Sequence, residues 1–252
     1  MTGMILAAGL GTRLGDLTRE RPKALLEVNG WPMIEIIANR MWRAGYNRII
    51  VNVHHHASSL IGFLHQWSGP PIEWIISDER EKLLDTGGAI RKASVLMPHN
   101  EPVLVHNADI LSNADLKALT RYHIDAGNDL TLMVKHRPTS RFLLVDENRR
   151  FIGWENPLEG IRIVEPGNQS AGIRIGFSGI YMISHSIFNS FPDEDVFGLF
   201  QWLLKQSRNF RIGTWDQGSS FWYEIGRPES LETAINQLVI DPETPDFLLQ
   251  RT

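Results

Sequence analysis

The stretch Leu6-Ala-Ala-Gly-Leu-Gly-Thr-Arg-Leu-Gly, followed by Arg21-Pro-Lys-Ala-Leu-Leu, concentrates four small residues, Ala7, Ala8, Gly9 and Gly11, at one point of the chain. With so little side-chain volume, a flat base or a phosphate chain can lie directly against backbone N–H groups. Arg13 and Lys23 add two cations to the same stretch. A guanidinium forks onto phosphate oxygens and an ammonium acts as a compact point charge, so the residue types point to a phosphorylated ligand. Neither familiar glycine loop accounts for the string. A Walker loop needs Gly-x-x-x-x-Gly-Lys-Ser/Thr, which is absent. The dinucleotide fingerprint needs a third glycine where Leu14 stands; Gly15 comes one position late, and the loop runs on to Pro22.

The surrounding pattern says how such a loop is held. Met4 to Ala8 reads as a continuously apolar strand of the kind buried on both faces. Pro32 and the spacing Met33, Ile36, Ile37, Met41 predict a helix ending at Gly45. Strands follow at 48–53, 72–76, 102–106 and 130–134, with helices expected at 58–67, 87–96 and from Asn113. That alternation predicts a Rossmann-like three-layer α/β/α fold with a mixed, mostly parallel central sheet, and places the loops after the strands along one sheet edge. After about residue 138 the rhythm changes: a hairpin at 142–154, a polar loop at 156–171, a strand at 173–183, a helix at 196–206, a strand at 210–214 and a helix at 229–238 started by Pro228. The chain reads as one domain over 1–252, with a first half (1–138), an elaborated second half (139–240) and a tail (241–252).

Composition bounds the function. At 252 residues with 42% hydrophobic and 21% charged residues, the chain is of ordinary globular type. The formal net charge of −4 argues against a broad basic face for nucleic acid. Cysteine is absent, which removes disulfides, thiolate metal sites and cysteine nucleophiles. No run approaches the roughly 20 apolar residues of a membrane span, so no membrane partner and a cytoplasmic location are expected. On a strand only His54 and His56 of the triplet His54-His55-His56 share a face, and no third ligand is placed, so the triplet reads as a loop capping a strand rather than as a zinc site.

The full string resembles the signature of the sugar-1-phosphate nucleotidyltransferases, or nucleotide-sugar pyrophosphorylases: Leu-Ala-Ala-Gly-x-Gly-x-Arg-Leu, then Pro-Lys-x-Leu, then Gly-x-Pro, here Gly30-Trp31-Pro32. The resemblance covers most of the chain, and it implies a nucleotide-binding half at 1–138 and a sugar-phosphate-binding half at 139–240. It is nearest to short bacterial members of the N-acetylmuramate-1-phosphate uridylyltransferase and mannose-1-phosphate guanylyltransferase-like kinds. It implies nucleotide contacts from Leu6, Ala7, Ala8, Gly9, Gly11, Thr12 and Asn107, with Arg13 and Lys23 stabilising pyrophosphate. Asn107-Ala-Asp109 resembles the family's Asn-Gly-Asp, and Trp222-Tyr-Glu-Ile-Gly-Arg-Pro resembles Trp-x-Asp-x-Gly-Thr-Pro. By that likeness Asp109 and Glu224 hold Mg²⁺, Glu224 and Arg227 being departures from the usual Asp and Thr. Leu84-Asp-Thr-Gly-Gly-Ala-Ile90 resembles the base-proximal loop, where Thr86, Gly87 and Gly88 open a helix with N–H groups free for base or ribose.

Trp154-Glu-Asn-Pro157 stands where many members have Glu-Lys-Pro. The likeness gives Glu155 and the glycine Gly179 to the sugar, while Asn156 removes a cation that Arg227 or Arg141 would have to replace. The implied reaction joins an NTP (UTP, GTP, CTP or dTTP) to a sugar 1-phosphate with loss of pyrophosphate. Base, sugar and oligomeric state, a homo-oligomer included, are open at this level. Two other classes are weighed. A nucleotide-sugar sensor without turnover fits the departures at Glu224, Asn156 and Arg227. A nicotinamide oxidoreductase needs an acid ending the second strand, where Asn52 and His54 to His56 stand instead.

Overall fold

A computed structural model describes residues 1–165, 168 and 172–240. Part of the loop expected at 156–171, and the tail from 241, lie outside the described residues. In chain order the elements are β1 (Thr2–Leu6), β2 (Glu27–Val28), β3 (Trp31–Pro32), α1 (Met33–Arg43), β4 (Arg48–Val53), α2 (Ala57–His65), β5 (Glu73–Asp78), α3 (Asp85–Ser94), β6 (Val103–Asn107) and β7 (Ile110–Ser112). There follow α4 (Leu116–Ala126), β8 (Leu130–Lys135), β9 (Phe142–Val145), β10 (Phe151–Asn156), β11 (Ile161–Val164), β12 (Ile173–Ile183), α5 (Leu199–Gln206), β13 (Ile212–Asp216), β14 (Trp222–Glu224) and α6 (Pro228–Ile240). This is the mixed α/β architecture that the strand–helix alternation predicts. The chain falls into two compact units, one of Met1–Leu83, His106–Ala114 and Ser220–Thr252, the other of Leu84–Val105 and Asp115–Ser219.

In the first unit β4 pairs in parallel with β1 on one side and β5 on the other. Met4, Ile5, Ile49, Ile50 and Val51 have no exposed surface, which is why these strands are apolar without alternation. Burying each such side chain contributes about 1.5–3 kcal/mol before entropy is counted. α1 starts after Pro32, carries Glu35 in its first turn and Arg40 and Arg43 in its last, as the helix dipole favours, and covers the sheet with Ile34, Ile37 and Met41. Leu6 and Asn52 are register partners at the carboxyl ends of β1 and β4, the edge from which the signature loop departs. β7 and β14 form a separate antiparallel pair.

The second unit is built on β12, antiparallel to both β8 and β9. β10 and β11 extend it beyond β9, also antiparallel, and β13 runs parallel to β8. The expected hairpin is β9–β10. β11 is a strand where a loop is expected: Ile161 and Ile163 alternate with Arg162, a period-2 pattern too short to stand out beside Gly160 and Pro157. α4 is capped by Asp115, which accepts from the Lys117 and Ala118 N–H groups. It is fastened inward by His123, whose Nδ1 lies 2.9 Å from Thr131 Oγ1 and Nε2 2.9 Å from Ser184 Oγ. Burial there pushes the His123 imidazole down to about 4, so it is neutral at physiological pH.

Candidate active site

The signature loop begins where β1 ends. The Ala7 N–H donates to Asn52 Oδ1 at 2.7 Å, and Asn52 Nδ2 donates to Glu79 Oε1 at 2.9 Å. Asn52 and Glu79 are 3% and 1% exposed, so a buried polar chain from β4 and the end of β5 fixes the first amide of the loop. Gly11 then turns with φ +66°, its carbonyl accepting from Leu14 N–H and Thr18 Oγ1. A Cβ there would stand 2.9 Å from Thr18 Cγ2, so glycine is needed for space as well as for φ. The loop walls a cavity of about 340 Å³ with Gly9, Gly11, Thr12, Arg13, Lys23 and Gly226 among its lining residues.

Lys23 sits in a single 3₁₀ turn after Pro22, and its ammonium pairs with the Asp109 carboxylate; both side chains are mostly buried. Asp109 follows β6, and its carbonyl accepts from Ile225 N–H at 2.9 Å. That bond and the β7–β14 pairing, in which Glu224 faces Ile110, bring Glu224 beside the same strand end. Phe221 N–H on Asn113 Oδ1, at 2.7 Å, ties down the start of β14. Glu224 Oε1 then meets Arg13 Nη2 at 3.3 Å in a half-exposed pair. Gly226 keeps this space open, since a Cβ on it would lie 3.0 Å from Glu224 Oε1 and 3.2 Å from Arg13 Nη2. His106, buried before Asn107, is pushed down to about 4, chiefly by burial and also by Arg40. Its Nδ1 lies 2.8 Å from the Asn107 carbonyl, which can only accept, so that nitrogen carries the proton.

Of the residues singled out from sequence, the first unit thus brings together the loop with Arg13 and Lys23, and Asp109 with Glu224. Leu6 and Asn107 end β1 and β6, and the Leu6 carbonyl accepts from Ala108 N–H at 3.1 Å. Arg227 is exposed at the start of α6, its carbonyl accepting from Leu231 N–H. Two carboxylates on adjoining strand ends fit a hard divalent ion, which takes one or two protein carboxylates and draws its other oxygens from substrate phosphates. Among the described residues no cluster of three or more His, Asp or Glu forms a closed cage. His54 and His56 bridge each other through the backbone, the His55 and His56 rings are in contact, and His56 at φ +53° leads into α2.

In the second unit, Thr86, Gly87 and Gly88 open α3 as expected, but their amides are not free. Gly87 and Gly88 N–H both reach the Phe197 carbonyl, at 2.9 and 3.2 Å, and Thr86 N–H reaches Asp85 Oδ1 at 2.6 Å. The Thr86 hydroxyl accepts from Leu199 N–H. The glycines therefore answer to a packing need: a Cβ on Gly88 would collide with the Asp195 carbonyl, and one on Gly87 with the Phe197 ring. Gly179 is buried at φ +76° where the β12–β8 register shifts. Glu155 is 3% exposed, with its carboxylate on Arg162 and Arg174. Asn156 shapes the next turn by accepting from Leu158 N–H. Arg141 is exposed beside Thr139. Asn52, Glu79, Gly226, Arg162 and Arg174 are not named as site residues from sequence; Asn52, near the end of the second strand, and Gly226, inside the Trp222–Pro228 string, carry a visible sequence signal.

Comparison with known proteins bears on the family and the fold. Residues 2–239 match the model of the Nucleotidyl transferase family. An N-acetylmuramate alpha-1-phosphate uridylyltransferase of Caulobacter vibrioides is 43% identical over 108 residues, 42% of this chain and 44% of that protein. A mannose-1-phosphate guanyltransferase of Pichia angusta is 27% identical over 234 residues, 91% of this chain and 62% of that protein. The matched regions thus span less than two thirds of these relatives. Among solved structures, HddC from Yersinia pseudotuberculosis complexed with GMP-PN superposes with a TM-score of 0.75 at 23% identity, covering 94% of this chain and 98% of that one. A putative glucose-1-phosphate thymidylyltransferase from Bacillus anthracis gives 0.79 at 18% identity over 100% of both chains. These two likenesses carry the Rossmann-like fold, and the match over residues 2–239 carries the family: the chain belongs to the nucleotidyl transferase family.

Proposed function

We propose that the chain transfers a nucleotidyl group from an NTP to a sugar 1-phosphate, giving an NDP-sugar and pyrophosphate. The observation that carries this reading is the fixed glycine loop, which walls a cavity together with Arg13 and Lys23, each cation paired with a carboxylate. A phosphate oxygen of the sugar phosphate attacks the α-phosphorus in line. It is already ionised at neutral pH, so no general base is required, which suits a site whose buried His106 is neutral and bonded to backbone. What the chain supplies is position and charge. The loop amides hold the triphosphate, and Arg13 and Lys23 neutralise the departing pyrophosphate. Asp109 and Glu224 are the residues that would hold Mg²⁺, which supplies charge neutralisation at the phosphates when bound.

The first unit serves the nucleotide in this reading, and the second, with Glu155 and Gly179, the sugar phosphate. The N-acetylmuramate enzyme is the more similar relative over the stretch it matches, so UTP with N-acetylmuramate 1-phosphate is the pair we put first. No helix among the described residues is long and apolar enough to cross a membrane, and the proposed setting is the cytoplasm. A matrix of UTP, GTP, CTP and dTTP against several sugar 1-phosphates with Mg²⁺, read by pyrophosphate release, tests the whole. Release from at least one pair is expected. Binding of nucleotide without release from any pair would replace the enzyme by a sensor.

A further inference from the structure

We propose that Leu10 and Leu83 form an aliphatic clamp for the nucleobase, a role that neither the glycines of the loop nor its cations can fill. This deepens the reading of the cavity as the NTP site and rests on it. Leu10 stands between Gly9 and Gly11, and Leu83 lies in the loop between β5 and α3. Both line the cavity of about 340 Å³, and both belong to the first unit. Leu10 is 42% and Leu83 36% exposed. The rest of the lining is three glycines with Thr12, Arg13 and Lys23.

A single exposed leucine is ordinary on a protein surface. Two at one cavity, beside glycines and polar side chains, have no packing reason to be there. Their neighbours Leu14 and Leu84 are buried and supply the packing of these stretches. Gly9 adds a second observation. Its φ is not left-handed, and a Cβ on it would meet nothing within 4 Å, so neither strain nor protein packing requires glycine there. A ligand lying close to the backbone does. The lining therefore offers two kinds of surface. Bare backbone with two cations suits phosphate, whereas two isobutyl groups suit an apolar face. In an NTP the broad apolar surfaces are the two faces of the base. An aliphatic side chain has neither donor nor acceptor, so the clamp holds the base by area and does not read its edge.

Calorimetric binding to the full chain with Mg²⁺ compares UTP, GTP, CTP and dTTP with inorganic tripolyphosphate, which has the phosphates and no base. Leu10→Ser and Leu83→Ser are each expected to weaken every nucleotide that the wild type binds by about fivefold to tenfold, the scale of one partly buried leucine. Tripolyphosphate should stay within about twofold of its wild-type affinity. Both positions are exposed, so the variants should melt with the wild type. Leu83→Met keeps the apolar area and should keep nucleotide affinity. Unchanged nucleotide affinity in either serine variant overturns the clamp. So does an equal loss on tripolyphosphate, or a loss in Leu83→Met as large as in Leu83→Ser. Pyrophosphate release is followed in parallel. Retained nucleotide affinity in the variants with release by the wild type sinks the clamp alone. Weakened nucleotide binding without release from any pair upholds the clamp and sinks the proposed reaction, and a wild type that binds no nucleotide sinks both.

Discussion

Asn52 holds the Ala7 amide at 2.7 Å, across the register pair that ends β1 and β4. The bond is buried, and Asn52 is oriented by Glu79, so the first amide of the signature loop is fixed from β4 and the end of β5. Asn52→Ala removes both bonds and leaves buried groups unsatisfied, at a cost of about 1–3 kcal/mol for each. A clear drop in melting temperature and a raised KM for NTP are expected. Asn52→Asp keeps an acceptor for Ala7 but sets a carboxylate against Glu79. Like charges raise the pair's pKa values, so the variant should be more stable at pH 5 than at pH 7. Melting curves at the two pH values check the sign, and a variant indistinguishable from wild type at both would remove Asn52 from this role.

Asp109 gives the sharpest kinetic test. It is mostly buried with Lys23 and stands at a strand end, where charge matters most. Asp109→Asn is expected to lower turnover at least about a hundredfold, the scale of losing an electrostatic catalytic group. Near-normal pyrophosphate release would exclude it from the site.

The Arg13–Glu224 pair separates stability from function. Both side chains are about half exposed, at 56% and 40%, so the pair contributes at most about 1 kcal/mol to folding. Glu224→Gln should therefore melt within a few degrees of wild type and still lose turnover, as expected of a carboxylate that holds the metal in the proposed reaction. A large loss of melting temperature with unchanged turnover would make Glu224 a structural residue only.

The loop and its two cations were legible in sequence because they are local: small residues, Arg13 and Lys23 lie within one short stretch. Their partners were not, since Glu224 is 211 residues from Arg13 and is brought there by the β7–β14 pairing and the Ile225–Asp109 backbone bond. The resemblance pointed to Asp109 and Glu224, but that each would meet a cation is a tertiary fact. The same distance in sequence misled the expectation for Gly87 and Gly88. A helix start exposes donors, yet the acceptor that takes them, the Phe197 carbonyl, comes from far along the chain. The β2–β3 turn, by contrast, is written locally. Asn29-Gly30, with φ of +53° and +81°, closes the two-residue β2–β3 hairpin, as that dipeptide favours.

Two buried histidines set a pH dependence of stability. His106 and His123 are both lowered from 6.5 to about 4, in each case chiefly by burial. Between those values the unfolded chain binds protons that the folded one refuses, so stability rises with pH there. The contribution is complete above about pH 6.5 and is lost as pH falls toward about 4. His123→Asn, whose amide can take the place of Nδ1 beside Thr131, removes one of the two groups. It should melt with a shallower dependence on pH between 7 and 4 than wild type. An identical slope would mean that His123 does not titrate differently on unfolding.

Gly11 and Gly226 predict opposite outcomes for the same substitution. At Gly11 an alanine meets a left-handed φ of +66° and the Thr18 side chain at 2.9 Å, with Thr18 held by the Gly11 carbonyl itself. Strain of roughly 1–3 kcal/mol is expected, seen as a lower melting temperature. At Gly226 the new methyl meets only the ends of two flexible side chains, Glu224 Oε1 at 3.0 Å and Arg13 Nη2 at 3.2 Å, which can move aside. Gly226→Ala should fold with little change in melting temperature, yet displace Glu224 and Arg13, the latter lining the cavity, and raise KM for NTP. Parallel melting and kinetic measurements on the two variants check this. If Gly226→Ala lost stability as Gly11→Ala does and kept its KM, the cavity beside Arg13 would not be where the triphosphate binds.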